Sequence, residues 1–186
     1  MTDAKKLKKL WMGVPAVLAL TLVGAVIMRA EGPRQGRAEL SGYSEIPTLS
    51  TPARGGLNVT ISPDDSSMSY TLTYDGFETD VLQSHIHLGR PAFNGGIMVF
   101  LCTNLAPPMG VPLPPACPVR GGTVTGEVSA ANVLGPGGQG VSPTEFGEFV
   151  DALRAEAAYG NVHTTRFTGG EIRGQVTFHA QGAAIR

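Results

Sequence analysis

The chain has 186 residues, enough for one ordinary domain and an appendage. A formal net charge of −1 and only 16% charged residues leave no basic surface to neutralise phosphates, which argues against nucleic acid as a partner. Glycine (25) and proline (14) are frequent but follow no Gly-X-Y period, which excludes collagen, and a hydrophobic content of 42% is enough for a packed core.

Lys5, Lys6, Lys8 and Lys9 precede an uncharged apolar run from Leu10 to Met28. At about 1.5 Å per residue such a run crosses roughly 30 Å of hydrocarbon. The lysines favour a cytoplasmic N-terminus and a translocated remainder, and Arg29, Arg34 and Arg37 weaken this preference without reversing it. Residues 1–29 are therefore expected to be a cytoplasmic tail and a single transmembrane helix that meets the lipid bilayer through residues 10–28. The competing reading is a cleaved signal peptide, whose best cleavage site would place bulky Met28 where a small residue is needed. Ala16, Ala19, Gly24 and Ala25 suit close helix packing and a lipid-facing surface equally well. Residues 30–37 (AEGPRQGR) read as a linker. The expected location is a bacterial inner membrane, single-pass, with residues 38–186 periplasmic.

That exported part alternates apolar and polar residues in short runs. Leu57–Ile61, Met68–Tyr74 and Ile172–Phe178 do so most cleanly, the period of strands with one buried face. Further strands are expected around Glu39–Tyr43, Val81–Leu88, Gly96–Leu101, Gly122–Val128 and Ala158–His163. Turn signals at residues 62–65, 75–76, 94–96 and 168–170 separate them. The pattern predicts an all-β sandwich or barrel. One helix interrupts it: Ser142 reads as its N-cap, Pro143 as its first position and Glu145 as the capping glutamate. Phe146, Phe149, Val150 and Leu153 then form one apolar stripe.

Cys102 and Cys117 flank a proline-rich loop, and export to an oxidising compartment makes a disulfide the natural reading; the alternative is a metal–thiolate pair. The histidines are the chain's chemical constellation. Alternation puts His85 and His87 on one strand face and Ile86 on the other; Asn161-Val162-His163 has the same form. If the two strands are neighbours, His85, His87 and His163 meet beneath covering loops. Three imidazoles suit Cu or Zn, and Asp75, Glu78 and Asp80 are candidates for a further ligand. The plain alternative is that the histidines fix loops by hydrogen bonds. His179, Glu171, Arg173, Gln175 and Thr177 read as a solvated polar face, with Glu171 and Arg173 close enough for a weak pair. No nucleophile-plus-base motif, phosphate loop or paired-carboxylate motif is present.

The chain resembles the chordin-domain (CHRD) family, found in bacterial exported proteins and in animal chordin. The residues that carry the resemblance are Leu40-Ser41-Gly42-Tyr43-Ser44-Glu45-Ile46-Pro47, His85-Ile86-His87-Leu88-Gly89, the stretch 94–101, Ala158 to Thr164, and Gly169-Gly170-Glu171-Ile172-Arg173-Gly174-Gln175. Leu88-Gly89-Arg90-Pro91 departs from the family's usual Gly-Pro after the second histidine. The resemblance implies an immunoglobulin-like or superoxide-dismutase-like β-sandwich, and it carries no common catalytic activity. The leading expectation is a non-enzymatic binding or structural subunit that docks on another membrane or periplasmic protein complex, for example a respiratory or photosynthetic assembly. The proline-rich loop and the Gly-Pro-Gly-Gly stretch at 135–138 are the expected contact surfaces. The alternative is a Cu- or Zn-binding, or redox-related, exported protein using His85, His87 and His163; an enzyme with an unseen pocket is a third.

Overall fold

Alternation becomes register in a computed structural model that describes Gly32, residues 34–106 and residues 109–178. Eight strands form: β1 (Gln35–Ser41), β2 (Arg54–Ile61), β3 (Ser67–Asp75), β4 (Val81–Leu88), β5 (Ile97–Thr103), β6 (Gly122–Ser129), β7 (Ala158–Thr164) and β8 (Ile172–Gln175). They pair antiparallel in the order β5-β4-β7-β8-β1-β2-β3-β6. The middle of this sheet is thin. β8 meets β1 at Ser41↔Arg173, backed by an isolated bridge between Arg37 and Thr177. The sheet folds there into two four-stranded layers, the predicted sandwich.

The alternating residues of both layers share one core. Leu57, Val59, Leu72 and Val124 come from one layer and Ile86, Val162 and Ile172 from the other, all buried. Gly160 marks how closely the layers approach: a Cβ there would stand 2.9 Å from Leu57 Cδ2. The single helix, α1 (Phe146–Arg154), adds Phe146, Phe149, Val150 and Leu153 to the same core. Truncating Phe149, which is fully buried, is expected to cost about 3–5 kcal/mol, read as a fall in denaturation midpoint with unchanged m-value.

The helix starts three residues later than Pro143, the expected first position. Thr144 has φ +70°, a left-handed conformation that no helix interior accepts. Glu145 still accepts a hydrogen bond from the Ser142 N–H at 2.6 Å, so half of the expected capping box survives, closing a turn ahead of the helix. At the other boundaries, β1 starts at Gln35, inside the expected linker, and β8 ends at Gln175, short of Phe178. Tyr43 lies in a 3-10 turn (Gly42–Ser44) after β1.

Cys102 and Cys117 are joined in a disulfide. Their separation of 15 residues suggests a contribution of about 3 kcal/mol through the unfolded chain. The Gly135–Gly138 stretch is held down at its end, where Gln139 accepts from the Gly96 N–H and donates to the Leu88 carbonyl. Among the described residues, no helix is long and apolar enough to cross a membrane. The expected transmembrane segment, residues 10–28, and His179 lie outside the described residues.

Candidate metal centre

β4 and β7 are neighbours, with His85 opposite Asn161 and Gln83 opposite His163. Ile86 and Val162 enter the core as expected. The opposite face carries His85, His87, Asn161 and His163, and coverage makes it as dry as a core: His85 is fully buried and His87 and His163 are 8% and 7% exposed. Phe100 of β5 stands edge-on to His85, with ring centroids 4.3 Å apart. The loop at 89–96 and the turn at 165–170 close the rest, and each fixes one imidazole.

Those two contacts set the tautomers. His87 Nδ1 lies 2.9 Å from the Gly95 carbonyl and His163 Nδ1 lies 2.9 Å from the Thr168 carbonyl. A carbonyl only accepts, so each Nδ1 carries the hydrogen and each Nε2 keeps its lone pair. His163 Nε2 is 3.1 Å from His85 Nδ1, while His87 Nε2 and His85 Nε2 are buried with no hydrogen-bond partner. One nitrogen from each ring lies within 4.8 Å of those of the other two. A backbone carbonyl holding the far nitrogen of an imidazole is the usual support for a metal-ligating histidine.

Burial also keeps the rings uncharged. Desolvation, helped by the neighbouring His163 and His87, pushes His85 down to about 2; desolvation takes His87 to about 4 and lowers His163. An unfolded histidine takes up its proton near pH 6.5. Between that value and the folded ones the unfolded state binds more protons. The metal-free domain should therefore keep its full stability above about pH 6.5 and lose it as pH falls toward about 4. Denaturation at pH 7.5 and pH 5 checks this: we expect a lower midpoint at pH 5 and a smaller drop in His87→Gln.

The other expected ligands do not converge. Glu78 pairs with Arg166 at 3.1 Å and Asp80 with Arg120 at 2.8 Å, both at the surface, and Asp75 is exposed. Glu171 and Arg173 do not form a weak surface pair; both are buried and serve different partners. Glu171 accepts hydrogen bonds from Thr51 and Thr164, each at 2.6 Å. Arg173 is 3.1 Å from the Glu45 carboxylate, donates to the Phe93 carbonyl and to Asn94 Oδ1, and lies 4.0 Å over the Tyr159 ring. Tyr159 in turn stacks parallel on His87, centroids 4.9 Å apart. At Glu171 and Arg173 the face is solvated only in pattern, because Glu45, just after the 3-10 turn, and the loop at 89–96 cover it, while Gln175 and Thr177 stay half-buried.

Glu45, Tyr159 and Arg173 thus belong to the surroundings of the centre, though alternation alone gave them no such role. The signal available was their place in the quoted motifs, with Glu45 in the Leu40–Pro47 stretch and Arg173 in the Gly169–Gln175 stretch.

No curated protein and no solved structure matches the chain significantly. A family model for the CHRD domain matches residues 36–176, well over half the chain and the whole two-layer sheet apart from Gln35. The motifs quoted above and the buried cluster all fall inside that span, and the chain belongs to the CHRD domain family.

Proposed function

We propose that this chain is a non-enzymatic, membrane-anchored subunit whose periplasmic domain docks on a partner protein or membrane complex, such as a respiratory or photosynthetic assembly. One observation carries the reading. Of the six exposed large hydrophobic side chains among the described residues, Leu105, Met109, Leu113 and Val119 lie on or next to the disulfide-closed loop. Apolar side chains held out to solvent on a loop tied to a rigid sandwich are the usual form of a recognition surface. Family membership supports a binding or structural role. The apolar run at 10–28 supports an inner-membrane anchor with a cytoplasmic N-terminus, which raises the local concentration of the domain near membrane partners.

A photo-reactive residue tests the surface. Placed at Leu113 in the full-length chain in its own membrane, it is expected to yield one adduct of defined mass. Placed at exposed Glu148 on α1, it is expected to yield none. Equal labelling from both positions would remove the loop from the proposal.

A second reading is favoured by the converging lone pairs. His85, His87 and His163 fit a Zn or Cu ion, because their rings are neutral and buried and carbonyls brace those of His87 and His163 on the far side. Elemental analysis of the domain after loading with either ion, beside a variant with all three histidines changed to alanine, checks it. Near-stoichiometric metal lost in the variant is the expected result.

A further inference from the structure

The three-histidine reading leaves a coordination position undefined, and the structure fills it from this chain. We infer that Asn161 Oδ1 is the fourth donor of a closed, four-coordinate site that selects a divalent cation such as zinc; this rests on the three-histidine reading.

Asn161 sits on β7 between the strand positions of Tyr159 and His163 and is 1% exposed. Its Oδ1 is 3.1 Å from His163 Nε2, the same spacing that His85 Nδ1 keeps from that atom. Two donors about 2.05 Å from one ion at a tetrahedral angle stand roughly 3.3 Å apart, so both spacings fit ligands that share an ion. The widest spacing among the imidazole nitrogens, up to 4.8 Å, exceeds the roughly 4 Å such an ion spans, so one ring turns inward by on the order of an ångström on loading.

The hydrogen count points the same way. A neutral imidazole has one N–H, and Thr168 takes that of His163. His163 Nε2 therefore has no hydrogen for Asn161 Oδ1, and two lone pairs face each other in a dry site. The amide does not escape by turning over. Its other end is on the side of Glu45: a Cβ on Gly170 would stand 2.9 Å from Asn161 Nδ2 and 2.5 Å from Glu45 Oε1, so an oxygen there would be turned toward the Glu45 carboxyl. Glu45 is itself held by Arg173. A cation between Asn161 Oδ1 and the imidazoles relieves the opposition and uses the lone pairs of His85 and His163. With three nitrogens and one amide oxygen inside a covered face, no position remains for water, which is the pattern of a structural rather than a catalytic site.

The test uses the exported domain as part of the full-length chain in detergent, loaded with zinc or cobalt(II) alone. Competition with a chromophoric chelator should show zinc affinity at least tenfold weaker in Asn161→Ala than in the parent. Azide should leave the parent's cobalt(II) visible spectrum unchanged and should shift that of Asn161→Ala, where an exchangeable water takes the vacated position. The azide measurement on the parent needs no variant, so it stands even if Asn161→Ala fails to fold. Parent-like affinity in Asn161→Ala, or an azide-sensitive parent spectrum, would overturn Asn161 as a ligand while leaving the histidines in place. A parent that binds neither ion would overturn the histidine site itself.

Discussion

Arg173→Ala is expected to destabilise the domain by about 3–5 kcal/mol, the usual result of removing one member of a buried ion pair. The loss comes less from the pair itself than from what remains. Glu45 is 4% exposed and Arg173 5%, so the variant leaves a carboxylate without its counter-ion in a dry site. Desolvation already raises the Glu45 pKa, with Arg173 the main opposing influence. Without the guanidinium, Glu45 should titrate still higher. The Phe93 carbonyl and Asn94 side chain also lose their donors, and the Tyr159 ring loses the cation above it. A Glu45→Leu, Arg173→Met double variant should be less damaged than Arg173→Ala, because no charge is then buried alone. Denaturant midpoints for the three proteins decide this. If Arg173→Ala keeps parental stability, the buried pair is not formed.

Zinc should stabilise the parent domain and leave the variant with His85, His87 and His163 changed to alanine unaffected. A ligand that binds only the folded state at a concentration 1,000 times its Kd adds about 4 kcal/mol. Loading releases few protons, because the rings are neutral in the fold well below neutral pH. The gain should therefore change little between pH 7 and pH 8. A thermal scan with and without zinc reads the effect directly, and equal Tm values in the parent would rule the ion out.

Much of this architecture is written in local pattern. Leu57–Ile61 and Met68–Tyr74 alternate cleanly because one face of each strand is in the core, and both stretches lie within paired strands, β2 and β3. The same rule put His85, His87 and His163 on one face, and adjacency of β4 and β7 brought them together. Alternation says which side a residue takes, not what lies over that side. Glu171 and Arg173 therefore read as solvated, although Thr51, Thr164 and Glu45 reach them from elsewhere in the chain. The helix starts at Phe146 rather than Pro143 for a related reason: Ser142, Pro143 and Glu145 carry every local start signal, but Thr144 turns left-handed between them. Asn161 was legible as a polar neighbour of the histidines. Its place beside Glu45 was not, because the two are 116 positions apart in the chain and only the fold closes that distance.

The most direct measurement of the proposed anchoring and docking is the mass of the particle that contains the full-length chain when the membranes of cells producing it are dissolved in mild detergent. Docking predicts that the 19.4 kDa chain migrates inside a much larger assembly at fixed stoichiometry. It also predicts that Met109→Asp with Leu113→Asp releases the chain as a folded protein. A parent chain that runs alone in its detergent micelle, with no partner at any protein concentration, would contradict the account.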